Sequence, residues 1–402
     1  MPRRYCLYLC FLAFSALAER APAAVPLSES EFLSRATAQP GVAALLDGPV
    51  LAATAEAQRA SIWANPVAEV EGESPGEERR QTTWSLSWQA PLDPRRGPLR
   101  AAARASVDAA VGERAWSTLE LRAELRGTYA DWALAVERAA ASTDLLDRVR
   151  KLVAAWSERA RSGEESGLAL RRLQLASVEL EAQAGNAFAE LARTAAAARA
   201  WIGGADEYEP RLPPLPDPVD PGSSIEHPAL AARQSDVEAA QHRARASHRF
   251  LSFPEIFVGL RQVREPGFEE DGLTLGGRLA LPLFDRQQAD RAEAKARLAS
   301  ARAHLELDTA RMNARRAAAE EAYRRLREAA VSSRAVIEQS DAVIESATAR
   351  FQMGEGDLTE LLETLRGVLA SRSASLDLYG SALEAHRELE LAAGQPLEEE
   401  KR

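Results

Sequence analysis

The sequence predicts a mainly α-helical chain with a small amphipathic β portion, built by duplicating one unit of helix, two strands and long helical hairpin. Three observations carry this reading. Arg286–Phe351 contains neither Gly nor Pro. It sets Leu298, Leu305, Met312, Ala319 and Leu326, and then Tyr323, Ala330, Ile337, Ile344 and Phe351, at sevenfold spacing, as helices packed along a coiled-coil seam require. At 1.5 Å per residue such a helix is roughly 100 Å long, beyond the diameter of a globular domain. Gln81–Pro91 alternates Trp84, Leu86, Trp88 and Ala90 with Thr83, Ser85, Ser87 and Gln89, the period of a strand with one apolar face. Finally, Pro91 and Pro282, Arg159 and Arg350, Gly163 and Gly354, Glu164 and Glu355, and Gly203 and Gly394 are each 191 residues apart. Five separated matches at one offset, with the same order of elements around them, indicate a repeat.

Composition agrees with long packed helices. Of 402 residues only 6% are aromatic and 27% are charged, and Ala, Arg, Glu and Leu dominate. The net charge of −10 argues against a nucleic-acid partner, because phosphate binding needs a basic surface. Residues 1–18 read as an export signal: Arg3-Arg4, an apolar core at Tyr5–Leu17, and a small-x-small site at Ala16-Leu17-Ala18, with a second possible cut as late as Ala24. Cys6 and Cys10 both lie inside this segment, and Leu9 before Cys10 argues against a lipid anchor there. The mature chain is then expected to hold no thiol, disulfide or cysteine metal site. No later stretch reaches the ~18 apolar residues of a membrane helix, so any membrane crossing falls to strands.

In order, the first unit (25–203) opens with a helical pattern from Ser28 to Ile62, with interruptions expected at Gln39-Pro40-Gly41 and Gly48-Pro49. Strands follow at Val67–Gly72 and Gln81–Pro91, separated by a polar turn carrying Pro75-Gly76. A helix from about Leu99 to Arg161 bears one apolar stripe through Leu125, Tyr129, Trp132, Val136, Ala139, Thr143, Leu146, Val149, Val153 and Trp156. It stops at Gly163, and a second helix runs to about Trp201, making an antiparallel hairpin over 99–201. Six prolines mark 204–226 as an extended connector. The second unit (227–394) repeats the order: a helix from His227-Pro228 to about Arg249, strands at Glu255–Val263 and Gly272–Leu283 around a charged turn at Arg264–Asp271, and a hairpin over 286–392. A charged tail, 395–402, closes the chain.

The strands suit a membrane wall. Eleven residues is the length of a tilted strand crossing a bilayer, and two Trp are typical of interfacial girdles. In Gly272–Leu283 one face holds Leu273, Leu275, Leu279, Leu281 and Leu283, the other Thr274, Gly276, Arg278 and Ala280. Taken singly, each strand also suits a soluble sheet. Four strands cannot close a barrel, and open edges are not tolerated in lipid, so spanning strands require an oligomer.

The duplicated order after an export signal resembles the TolC family of outer-membrane efflux ducts. The residues carrying the resemblance are the hairpin turns Arg159-Ala160-Arg161-Ser162-Gly163-Glu164 and Arg350-Phe351-Gln352-Met353-Gly354-Glu355, and the strand exit Leu281-Pro282-Leu283-Phe284-Asp285-Arg286. The last, with Val258-Gly259-Leu260-Arg261, is most similar to the heavy-metal branch typified by CzcC. The resemblance implies a homotrimer with one twelve-stranded barrel in the Gram-negative outer membrane and an α-helical tunnel in the periplasm. It also implies a periplasmic adaptor (membrane fusion) protein and an inner-membrane RND-type transporter as partners. The competing reading is an exported coiled-coil scaffold or adaptor with a small soluble sheet.

Candidate sites follow from this arrangement. Trp84, Leu86, Trp88, Leu279 and Leu281 are expected to face lipid. The hairpin turns, lying opposite the strand turns, should form a periplasmic tip in which Gly163, Gly354 and Gly356 reverse the backbone. There Glu164, Glu165, Glu355 and Asp357 are either acidic rings able to select cations or ordinary solvated turn acids. By resemblance, Arg159, Arg350 and the turns are the adaptor-docking surface. His227, His242, His248, His304 and His386 show no metal-ligand spacing, and no phosphate loop or nucleophile, base and orienter set is present. The expectation is a passive conduit without cofactor, metal site or catalysis.

Overall fold

Ser28 starts the first helix because its hydroxyl accepts the backbone N–H of Glu31 while the Glu31 carboxylate accepts the N–H of Ser28, a reciprocal capping box. In the computed structural model, which describes residues 25–73, 80–89, 93–162, 167–203, 208–218, 227–248, 255–279, 284 and 286–397, this helix is α1 (Glu29–Thr37). Helix α2 (Pro40–Ser61) follows a break at Gln39, as expected, but Pro49 does not interrupt it. The carbonyl that Pro49 leaves without a donor belongs to Leu45, on an exposed face where water can replace the lost bond. The export signal and the tail beyond Leu397 lie outside the described residues.

Strands β2 (Val67–Glu73), β3 (Arg80–Gln89), β5 (Glu255–Glu265) and β6 (Phe268–Arg278) form one antiparallel sheet in the order β2-β3-β5-β6. The first unit supplies one half and the second unit the other, joined where Trp84 faces Leu260. The sequence pattern predicts the last strand at 272–283 and a turn at 264–271. The observed turn is tighter, with Gly267 at φ +84°, and the charged residues on both sides of it continue the ladder. Arg264 and Glu269 pair across the strands at 2.9 Å. Charge density thus marks where the strands leave the apolar band rather than where they end. Leu279 falls one residue past β6.

The helices repeat the strand order beneath the sheet. Helix α2 packs on α3 (Arg96–Arg161), α3 on α5 (Pro228–Ser247), and α5 on α6 (Gln288–Ile337). Farther from the sheet, α4 (Gly167–Ile202) lies on α3, and α8 (Leu358–Ala393) lies between α3 and α6. Helix α3 has 66 residues, hence a length of roughly 100 Å. Its stripe is buried at Leu125, Tyr129, Trp132, Ala139, Leu146, Val149 and Trp156. The duplication is visible in matched ends: α4 and α8 each have 36 residues, and each stops at a glycine in the left-handed region, Gly203 at φ 58° and Gly394 at φ 73°.

The long helix expected over 286–351 is divided. Helix α6 ends at Ile337 and α7 (Ser340–Gln352) begins after two residues. Gln339 N–H bonds the carbonyl of Val336, three residues back, so the ladder tightens into one 3₁₀ turn. Arg372 of α8 enters at this point, donating to the buried Ser340 hydroxyl at 2.9 and 3.1 Å and reaching Asp341 and Asp144. Insertion of a side chain from a neighbouring helix is a recognised cause of such breaks.

Two short strands escaped the sequence reading. β1 (Val25–Leu27) pairs in parallel with β4 (Tyr208–Pro210), so the connector straps back onto the start of the first unit. Prolines deprive the connector of donors, and tyrosines from the helices bind its carbonyls. Tyr129 donates to Leu27 at 2.7 Å and Tyr379 to Pro213 at 2.8 Å, while Tyr323 donates to Pro216. The Tyr129 hydroxyl also accepts the Arg211 N–H at 2.9 Å, and burial raises its pKa to about 12. Tyr129→Phe removes these bonds and leaves only the 3.3 Å bond from the Arg211 N–H to the Leu27 carbonyl, and is expected to lower stability by about 1 kcal/mol, measurable as a shifted denaturant midpoint with an unchanged slope.

His227 ties the second unit together. Its Nδ1 accepts the Ala229 N–H at 3.2 Å, capping α5, and its Nε2–H donates to the Leu391 carbonyl at 3.0 Å. The Nδ1 cap needs the neutral ring, whereas the Nε2–H bond survives protonation. Burial, chiefly, and Arg315 secondarily hold its pKa below the ordinary imidazole value, although the Leu391 bond opposes them. Below that ordinary value the unfolded chain takes up a proton that the folded chain resists, so stability falls as pH drops. The thermal midpoint is expected to decline between neutral pH and pH about 5.5, and less steeply in His227→Asn, whose cap does not titrate.

Candidate membrane face and docking tip

The register sorts the sheet into two unlike faces. On one, successive rows are Trp88 and Ile256, then Ala68, Leu86, Val258 and Leu275, then Val70, Trp84, Leu260 and Leu273. The next row turns polar, with Gly72, Thr82, Gln262 and Asp271. The apolar rows are uncovered: Leu260 is 60% exposed, Leu273 74%, Leu275 76% and Trp84 55%. A contiguous apolar surface of this extent is not a stable boundary with water. At its base Trp63 lies against Trp88, ring centroids 5.9 Å apart, and Trp88 Nε1–H donates to the Ala64 carbonyl at 3.1 Å. Trp88 thus has an apolar body and a satisfied polar end, suited to an interface.

The opposite face carries Glu69, Glu71 and Glu73 on β2, Thr83, Ser85 and Ser87 on β3, Phe257, Gly259 and Arg261 on β5, and Glu270, Gly272, Thr274 and Gly276 on β6. Arg261 donates to Gln81 at 2.9 Å. Strands β2 and β6 are both open edges.

Of the residues expected to face lipid, Trp84, Leu86 and Trp88 share the apolar face. Leu279 is exposed just beyond the strand, and Leu281 lies outside the described residues. Ile256, Val258 and Leu260 complete the face. Their alternation in Glu255–Glu265 was a usable signal, whereas Trp63, in a non-strand segment, had none.

At the far end of the helices Trp156 of α3 stacks on Phe351 of α7, centroids 4.4 Å apart and planes 16° apart, and Arg159 lies 4.8 Å over the Trp156 ring. This contact joins the two hairpins near their turns, above a core of Leu152, Leu173, Ile344, Leu358 and Leu361. Arg350 pairs with Glu360 at 2.6 Å. The Glu355 and Gly356 N–H groups both donate to the Arg350 carbonyl, at 2.9 and 3.1 Å, and Gly354 takes φ 76° to allow it. A side chain at 354 would be strained by that conformation whatever the space around it. Asp357 precedes α8 in extended conformation without a side-chain capping bond, and Glu355 is exposed beside it. Gly163, Glu164 and Glu165 lie outside the described residues. Among those described, no group of three or more His, Cys, Asp and Glu could hold a metal ion, and no helix is long and apolar enough to cross a membrane.

A half-open sheet with an apolar outer face, set on paired helices of this length, has the fold of the TolC-family outer-membrane channels. Among solved structures the chain is similar to CusC, with a TM-score of 0.75 and 16% identity over 95% of this chain and 96% of that one. A membrane protein from Pseudomonas aeruginosa gives 0.77 and 20% over 92% and 91%, and the Campylobacter jejuni CmeC outer membrane channel 0.74 and 13% over 91% and 85%. In sequence the chain is 26% identical over 282 residues to the nickel-cobalt-cadmium resistance protein NccC of Alcaligenes xylosoxydans xylosoxydans. That match spans 66% of this chain and 62% of the relative's length. No family model matches the sequence.

Proposed function

We propose that this chain is the outer-membrane duct of a tripartite efflux system, a passive conduit without catalysis whose cargo is divalent heavy-metal cations. The observation that carries the proposal is the uncovered apolar face across all four strands, combined with open edges at β2 and β6. Lipid covers the face, and copies of the chain cover the edges: β6 of one copy pairs with β2 of the next in a ring of three, giving twelve strands. Because α6 follows β6 and α2 precedes β2, the same closure lays α6 beside the neighbour's α2. This agrees with α6 burying only Ala319, Tyr323 and Ala330 of its 50 residues within one copy. The glutamates of β2 then line the lumen, where they favour cations.

The tip residues Arg159, Gly163, Glu164, Glu165, Arg350, Gly354, Glu355 and Asp357 are assigned to docking of the periplasmic adaptor, behind which stands an inner-membrane RND-type transporter supplying the energy. The stacked Trp156 and Phe351 support a preformed docking end, because they hold both hairpins of one copy together.

Fractionation tests the duct. The protein is expected in outer membranes, extracted only by detergent, as a trimer that dissociates on heating. Recovery of the folded protein without detergent overturns the reading and favours a soluble scaffold. Cargo is read separately, from accumulation of nickel, cobalt and cadmium in a deletion strain with and without the gene.

A further inference from the structure

Phe257 and Gly276 face each other directly across β5 and β6, on the face opposite Trp84, Leu86 and Leu275. A Cβ at position 276 would lie 2.4 Å from Phe257 Cζ, 2.8 Å from Cε1 and 3.1 Å from Cε2. The outer end of the ring therefore sits over the glycine, in the space any other residue's side chain would fill. Gly276 does not adopt positive φ, so its backbone conformation is open to other residues, and the close approach of the ring is what demands glycine here. An aromatic ring has no flexible end that yields, so a methyl group at 276 must swing it away from the wall.

We propose that Gly276 keeps the barrel lumen at its full width by giving the Phe257 ring a place against the wall. The inference rests on the duct reading, in which this face lines the channel. With the ring displaced, each copy projects a phenyl group into the passage at one level, just inside the row of Trp88 and Ile256. An apolar constriction of this kind opposes the passage of hydrated cations.

The test is single-channel conductance of the purified full-length protein in planar bilayers, in potassium chloride. Wild type is expected to conduct, and failure to do so would count against the duct itself. Given a conducting wild type, Gly276→Ala is expected to have its conductance roughly halved. Phe257→Ala should conduct as wild type does, because the ring it removes is already against the wall. The Phe257→Ala/Gly276→Ala double variant should return to the wild-type value. Wild-type conductance in Gly276→Ala, or a double variant as restricted as Gly276→Ala, overturns the inference. If Gly276→Ala does not assemble, assembly of the double variant shows that the ring was the obstacle. Failure of both to assemble shows that the glycine serves the backbone alone, which also overturns it.

Discussion

Leu275→Arg is expected to prevent recovery of the heat-sensitive oligomer from outer membranes, while Thr274→Arg, one residue away, is expected to leave it intact. The two positions are adjacent on β6 and both exposed, so strand propensity and local crowding differ little. They differ in face. Leu275 stands opposite Val258 in the middle apolar row, and Thr274 stands opposite Gly259 on the polar face. An arginine near the bilayer midplane costs about 2–4 kcal/mol in each chain, whereas one lining a water-filled lumen costs little. The readout is the fraction of protein migrating as oligomer before and after heating. Equal tolerance of both arginines would show that the sheet does not meet lipid on the Leu275 side.

Arg126→Met has the largest effect expected away from the sheet. The Arg126 guanidinium is buried, donating to Glu390 at 2.6 Å and to Glu29 at 2.9 Å. It joins the first helix, the long helix of the first unit and the last helix of the second. Burial opposes its charge most strongly, but the two carboxylates outweigh it and its pKa rises. Removing the cation leaves Glu390, itself buried, without its countercharge, a loss of about 3–5 kcal/mol. Combining Arg126→Met with Glu390→Gln, which removes the charge but keeps an acceptor for the buried Leu397 N–H at 3.0 Å, should restore much of this. The measurement is the denaturant midpoint of the purified protein for the single and double variants. A double variant no more stable than Arg126→Met would mean that the triad acts by shape rather than by charge.

Most of the architecture was legible in the residues. Sevenfold and three-four spacings revealed the helices because one continuous stripe must face a neighbour. Alternation in Gln81–Pro91 revealed a strand because its two faces meet different surroundings. The 191-residue offset revealed the repeat, and Gly203 and Gly394 now show a common left-handed helix end. The errors share a cause. Charge at Arg264–Asp271 predicts a turn because charge usually signals exposure, yet these residues are exposed while still paired across β5 and β6. The break after Ile337 had no local sign, since Ser340 and Arg372 meet only when α7 and α8 pack. The strap of β1 and β4 was hidden for the same reason, its partners being 183 residues apart at Val25 and Tyr208.

The candidate sites divide in the same way. Trp84, Leu86 and Trp88 could be assigned to one face from period alone, because side chains in a strand alternate by geometry. Leu279 could not, because strand ends depend on partners.

The sequence by itself determined the classes of element, their order, their duplication and the amphipathic character of the strands, all consequences of local periodicity. Tertiary structure alone decided which strands join the two units, that their apolar faces fall into register as one uncovered surface, that Arg126 bridges both units, and that Phe257 rests on Gly276. Each of these depends on the distance between residues remote in the chain, and periodicity carries no information about that distance until packing sets it.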